Sequence, residues 1–378
     1  MKKCVLISDS FKGSLSTFEI ISLFKEALKD VFPSCELLSF PVSDGGEGMM
    51  EVFSTIYGGE IHEISTFDAN LSPLNAKYLL NDQKAYMDVS SVIGIAKTKI
   101  KDPKITTSYG AGLLLNDAIE HGAKEIYIGL GGSSTNDMGV GMLKALGGRF
   151  YNENNKEFLP TGISLNQIKN IDLTDFYKNI DGISFIGLAD VRNPLLGEKG
   201  CSRIYARQKG ASEDETYQLD EIMKEFNSNL VSLGFKDVSN IPGAGAAGGI
   251  GAAMLLFFNG KLESGINHIL KAISFEEKIK DCDCIFTGEG NLDSQSNSGK
   301  VIDGIREIAK RNNIPLVAIV GGADLSSENL INNGITSIIT TTRKPMEFEK
   351  IKEYSKEFYK VSVANALRLI KLGEKIKR

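Results

Sequence analysis

The sequence has no excess of basic residues. Its 43 Lys+Arg stand against 48 Asp+Glu, a formal charge of −5. Phosphate backbones demand a basic face, so nucleic acid is not the expected partner, although a local cluster of cations still suits a small anion. The cysteine pattern of a disulfide scaffold or zinc site is also missing. The five thiols, Cys4, Cys35, Cys201, Cys282 and Cys284, are odd in number and fit a reducing compartment. Cys282 and Cys284 form a C-x-C in an apolar stretch, and His62, His121 and His268 are too scattered to complete a zinc set. The thiols are expected to be buried structural groups.

Long apolar runs are scarce. After Met1-Lys2-Lys3 the run Cys4 to Ile7 stops at Ser8-Asp9, short of the about 7–15 residues of a signal h-region. Val238 to Gly260 is uncharged and long enough to span a bilayer. Six of its residues are Gly, and Asn240 and Pro242 interrupt it, so it reads as a Gly-rich loop entering a buried helix. A cytoplasmic protein without a membrane partner is expected.

Two catalytic signatures are absent. No G-x-x-x-x-G-K-[ST] occurs: Val301 follows Gly299-Lys300, and Ser294 holds the place of the first Gly. No G-x-S-x-G occurs, and no histidine sits in a motif, which leaves hydrolase readings without support. The stretch Gly243-Ala-Gly245-Ala-Ala-Gly248 does match G-x-G-x-x-G, with Glu263 twenty residues after Gly243. The preceding Lys236 to Pro242 makes a poor strand, which favours close helix packing or a phosphate-facing loop over a nicotinamide site.

What is present is a chain of 378 residues, enough for two domains, with 39 glycines gathered in a few clusters. Val5 to Ile7 reads as a strand, and Phe18 to Val31 as a helix with apolar residues at helical spacing. Ser16 and Glu19 form a capping box at its start. Leu37 to Val42 is a second strand. Residues 60 to 95 read as a meander of short strands, and residues 284 to 371 return to α/β alternation. The expected fold is α/β: a discontinuous Rossmann/flavodoxin-like parallel-sheet domain, 1–62 with 282–378, carrying an inserted mixed α+β domain, 63–281. The active site is expected in the cleft between them.

Five predicted strands end in Gly-rich, acid-bearing loops, several of them also holding Ser: 9–16, 44–48, 131–141, 190–200 and 288–300. In open parallel sheets ligands gather at the carboxyl ends of strands. Glycine lets backbone N–H groups approach phosphate, and carboxylates beside phosphate call for a cation between them. The composition therefore points to a Mg²⁺–nucleotide.

These loops, in order, carry Asp9-Ser10-Phe11-Lys12-Gly13-Ser14-Leu15-Ser16, Asp44-Gly45-Gly46-Glu47-Gly48, Gly131-Gly132-Ser133-Ser134-Thr135-Asn136-Asp137, Asp190-Val191-Arg192-Asn193-Pro194-Leu195, Gln208-Lys209-Gly210-Ala211, Pro242 to Gly249, and Gly288-Glu289-Gly290 through Gly299-Lys300. Over nearly the whole chain this series resembles the glycerate kinase family of the bacterial D-glycerate type. The resemblance implies an ATP- and Mg²⁺-dependent transfer of the γ-phosphoryl group to a hydroxyl of D-glycerate, with 2-phosphoglycerate preferred as product. It implies Asp44, Asp190, Asp293 and Lys12 as catalytic, with Asp190 and Asp293 on the metal. Ser10, Lys300, Arg203 and Lys209 are the substrate-binding candidates. Ser14, Gly131, Gly132, Ser133, Ser134, Thr135, Gly243, Gly245, Gly248 and Glu289 are the nucleotide-binding candidates. Self-association into a homo-oligomer is left open. The sequence departs from the family pattern at Asn291, where Arg is usual, at Arg192 for Thr, at Met138 for Gly, and at Arg207 for Pro. Asn291 keeps alive a second reading, a silent nucleotide-binding regulator; a nicotinamide-dependent dehydrogenase is the third.

Overall fold

The apolar run Cys4 to Ile7 forms the heart of the strand Lys3–Ser8, and all four of its side chains are fully buried. The structure is a computed structural model that describes residues 1–43, 48–292, 301–324 and 327–376. The chain divides into two compact units, Met1–Asp44 with Ile266–Arg378, and Gly45–Gly265.

In the first unit five parallel strands lie in the order Glu36–Pro41, Lys3–Ser8, Cys284–Thr287, Leu316–Val320, Ser337–Thr340. Counted along the chain this is 2-1-3-4-5, the flavodoxin-like order, whose switch point lies between the first and third strands. The central strands are covered on both faces and read as unbroken apolar runs rather than alternating ones. Helix Thr17–Val31 packs on the terminal helix Phe348–Ile376. Phe24 of the first helix lies 4.9 Å from Phe286 of the third strand, ring to ring, and Tyr359, Val363 and Leu367 complete that core. Burying a Phe side chain contributes about 1.5–3 kcal/mol. Ser16 caps the first helix through Glu19 N, and Glu19 returns the bond to Ser16 N at 2.9 Å. Ser16→Ala is therefore expected to lower unfolding stability by about 1 kcal/mol, read by urea denaturation.

The second unit holds a six-stranded mixed sheet, ordered Lys261–Glu263, Ser184–Leu188, Glu125–Gly129, Lys84–Asp88, Pro73–Asn81, Glu60–Phe67. The last three form the antiparallel meander expected from the sequence, and the first four run parallel. A large apolar core, with Leu115, Ile128, Phe150, Phe226 and Met254 among its fully buried members, lies in this unit beside a small cluster of Ala206, Ala211 and Leu219.

The borders between the units fall elsewhere than the 62/63 and 281/282 expected from the sequence. Helix Met49–Tyr57 belongs with the second unit because Phe53 packs at a tilt on Tyr86 and Tyr57 stacks on it, at 4.8 and 5.1 Å between ring centres. Helix Gly265–Ala272 belongs with the first, where Ile266 and Leu270 lie against Gly304 of helix Val301–Arg311.

The uncharged stretch 238–260 is a loop followed by the buried helix Ala246–Leu256. Among the described residues no helix is long and apolar enough to cross a membrane. All five cysteines are free thiols; four are buried and Cys35 is half-buried.

Candidate active site

At the switch point of the first unit the chain leaves the sheet at Ser8 and again at Thr287. Asp9 N and Ser8 Oγ both donate to Gly288 O, at 3.0 and 3.1 Å, which ties the two loops together. Ser10 N donates to Asp9 Oδ1 at 2.7 Å. The loop then closes on itself: Phe11 and Leu15 exchange backbone bonds at 2.8 and 3.0 Å, and Ser14 Oγ donates to Phe11 O at 3.0 Å. Lys12 is exposed on this tight turn, beside Gly13 at φ 79°. A Cβ on Gly290 would come within 3.4 Å of Phe11 and 3.5 Å of Lys12 backbone. Ser10, Lys12, Ser14 and Glu289 are thus gathered at one sheet edge. Asp44, Asp293 and Lys300 lie outside the described residues. Asn291 pairs with Gly322 in a two-residue parallel ladder.

In the second unit the parallel strands deliver Asp88, the Gly131–Thr135 loop, Asp190 and Ser264 to one edge. Asp190 is 6% exposed and its Oδ1 accepts from Ser264 Oγ at 2.7 Å. The Ser134 hydroxyl is used internally, donating to Ile93 O and accepting from Thr98 Oγ1, at 2.8 and 2.7 Å. Thr135 Oγ1 is buried and has no hydrogen-bond partner among the described residues. Lys209 is 3% exposed; its Nζ donates to Thr135 O at 2.7 Å and to Ser133 Oγ at 3.3 Å. Burial lowers its pKa to about 8, against the opposing pull of Cys201 and Asp137.

Ala247, Gly248 and Gly249 form a run of left-handed residues at φ 51°, 69° and 92°. A Cβ on Gly248 would lie 1.9 Å from Thr135 O, and one on Gly245 2.3 Å from Pro194 O. Met138 N donates to Gly248 O at 3.1 Å. Close approach to their own chain therefore accounts for Gly245 and Gly248, and Gly243 holds a φ of 85°. No strand precedes them between residues 233 and 242, so the dinucleotide-fold reading of this motif is set aside. Arg203 lies 3.1 Å over the Tyr217 ring and pairs with Glu198 at 3.3 Å; among the described residues it hydrogen-bonds none of the other candidates.

Three acids that the sequence reading left without a role stand at these edges: Asp9, Asp88 and Asp137. Asp137 is fully buried. Its Oδ2 accepts from Ser108 N and Ser108 Oγ at 2.7 and 2.8 Å, and its Oδ1 from Gly139 N at 3.2 Å. Burial raises its pKa although these bonds oppose the rise. Asp88 is buried at the end of the strand Lys84–Asp88. An acid at or just past the end of an apolar strand was the available signal for both Asp9 and Asp88: Asp88 closes Lys84–Asp88 and Asp9 follows Lys3–Ser8.

A sequence model described as the glycerate kinase family matches residues 4–371. The chain belongs to the glycerate kinase family. The glycerate kinase of Bacillus cereus is 35% identical over 375 residues, covering 98% of both chains. The glycerate 2-kinase of Escherichia coli K12 is 38% identical over 324 residues, covering 84% of this chain and 85% of that one. A solved structure described as glycerate kinase 2 from Salmonella typhimurium LT2 superposes with a TM-score of 0.80 at 31% identity and covers 99% of each chain. As a glycerate kinase the protein is an ATP-dependent phosphotransferase acting on an alcohol group, and the parallel-sheet fold expected from the sequence stands.

Proposed function

We propose that the protein transfers the γ-phosphoryl group of ATP to the 2-hydroxyl of D-glycerate, giving 2-phosphoglycerate and ADP in the cytoplasm. The observation that carries the 2-position is the 38% identity to a relative named glycerate 2-kinase. Glycerate offers a carboxylate and two hydroxyls. Phosphoryl transfer is chiefly positioning and charge stabilisation, so fixed cations and oriented backbone donors do most of the work. Lys12 and Lys209, with Lys300 and Arg203, are the cations for the carboxylate and phosphates. Ser14, Ser133, Thr135, Glu289 and the glycines of the 131–132 and 243–248 loops are the groups assigned to the nucleotide.

Mg²⁺ fits this reading. Among the described residues no three acids, histidines or cysteines gather into a metal-binding group. Mg²⁺ needs only one or two carboxylates alongside substrate phosphates, and Asp190, held by Ser264, supplies one, with Asp293 as the second. When bound, the ion neutralises charge on the transferring phosphoryl group.

Phosphorus NMR of the product formed from D-glycerate, ATP and Mg²⁺ tests the proposal. The expected product is 2-phosphoglycerate. A phosphate resonance at the 3-position would overturn the positional assignment and leave the reaction class standing.

A further inference from the structure

Asp88 occupies an unusual place. It ends the strand Lys84–Asp88 and pairs in register with Gly129, which leads into the Gly131–Thr135 loop. Asp190 leaves the sheet two residues beyond Leu188, the register partner of Gly129 on the next strand. Neighbouring strands are about 4.8 Å apart, so Asp88 and Asp190 stand on one edge, two strand spacings from each other. Gly132 and Ser90 are in contact there: a Cβ on Gly132 would lie 3.3 Å from Ser90 Cβ.

Asp88 is 6% exposed. Its Oδ1 accepts from Ser90 Oγ at 2.7 Å and from Ser91 N at 2.6 Å. Its Oδ2 has no hydrogen-bond partner among the described residues, and it is not among the solvent-sealed polar atoms of the chain. One oxygen is therefore clamped and the other is open at the edge that carries the motif loops. Capping the turn takes one carboxylate oxygen, and the second stays accessible at that edge to accept a hydrogen bond from a ligand hydroxyl.

We propose that Asp88 is a catalytic residue of the kinase reaction, accepting through Oδ2 the proton of the acceptor hydroxyl of glycerate. As the hydroxyl oxygen forms its bond to the γ-phosphorus, the O–H proton passes to Asp88 Oδ2. The bond from the γ-phosphorus to the bridging oxygen breaks, and its electron pair leaves with ADP. The proton then returns to water, which restores the carboxylate. This assignment rests on the function proposed above.

The surroundings suit the task. Burial raises the Asp88 pKa to about 6, opposed by the bonds from Ser90 and Ser91. Glu51 of helix Met49–Tyr57 raises it further, and Lys97, whose Nζ donates to Ser91 O at 2.6 Å, lowers it. The Gly131–Ser133 loop on the remaining side carries no titratable group. A general base works best with a pKa near the operating pH.

The test is the pH profile of kcat for the wild type, Asp88→Asn and Asp88→Glu. Wild-type turnover of D-glycerate, measured first, tests the function itself. An inactive wild type would overturn that reading and this one together. For an active wild type, kcat is expected to fall on the acid side with an apparent pKa near 6. Asp88→Asn is expected to lower kcat about 10²–10⁴-fold and to abolish that limb. ATP affinity, from fluorescent-nucleotide titration, and melting temperature are expected to hold, and Asp88→Glu to restore part of kcat. A kcat for Asp88→Asn within threefold of wild type, or an unchanged acid limb, would overturn the assignment. So would a loss of kcat matched by a loss of melting temperature that Asp88→Glu does not repair, since that marks a structural role alone.

Discussion

Lys209→Met is expected to lower kcat/KM for glycerate by about 10²–10³-fold while leaving the protein folded. The buried ammonium holds the Gly131–Thr135 loop through Thr135 O and Ser133 Oγ, and a thioether holds neither. The stability effect separates charge from shape. The folded pKa of about 8 lies below the unfolded 10.5, so the charged amine is disfavoured by folding. Below pH 8 that cost is present in full, on the order of 3 kcal/mol. Between pH 8 and 10.5 the unfolded chain binds more protons than the folded one, so wild-type stability gains from this group as pH rises. In Lys209→Met the gain disappears, while the unpaired Thr135 carbonyl adds about 1–3 kcal/mol of cost at every pH. Urea denaturation of both proteins at pH 7 and pH 10 reads the difference. Equal pH slopes would show that Lys209 is not the buried cation described here.

Gly248→Ala is expected to cost about 3–5 kcal/mol. Two penalties combine. An alanine at φ 69° carries backbone strain of about 1–3 kcal/mol. Its Cβ would also sit 1.9 Å from Thr135 O, so the two loops must part. Gly197→Ala is the control. Its φ is 85°, yet nothing lies within 4 Å of its Cβ position, so strain alone is expected, about 1 kcal/mol. Thermal unfolding of the pair decides: similar losses would mean that the contact between residues 135 and 248 yields freely. Parting these loops also displaces Lys209, so Gly248→Ala is expected to lose activity in step with stability.

Much of the fold is legible in the residues. The strands Cys284–Thr287, Leu316–Val320 and Ser337–Thr340 announce themselves as apolar runs. Ser16 and Glu19 place the first helix by local hydrogen bonding alone. The strand Lys261–Glu263 is hidden, since one exposed and two half-buried residues become a strand only by pairing with Ser184–Leu188. The domain borders are hidden for a similar reason. Tyr57 looks the same in sequence whichever sheet it covers, and only Tyr86 decides.

The site is less legible than the fold. Lys209 is legible as a motif cation in Gln208-Lys209-Gly210-Ala211, but its burial is not, since that is fixed by Thr135, far away in the chain. Asp88 has no motif around it, and its clamped and open oxygens are a property of three dimensions. Gly245 and Gly248 match a phosphate-loop pattern, but steric demands of neighbouring backbone are enough to require them.

The strand order of the first unit also sets a timetable for synthesis. Cys4 pairs with Cys284, 280 positions later, because the whole second unit stands between the second and third strands. At about 5–20 residues per second, the first strand waits roughly 15–55 s on the ribosome before its central neighbour exists. In that interval the run Cys-Val-Leu-Ile has only Glu36–Pro41 beside it, with one apolar edge uncovered. The inserted unit can complete its own sheet during the delay, since all six of its strands fall within residues 60–263. Nascent chains of this protein therefore pass through a stage with the insert folded and the host unfinished, and that stage is where a holding chaperone would find its target.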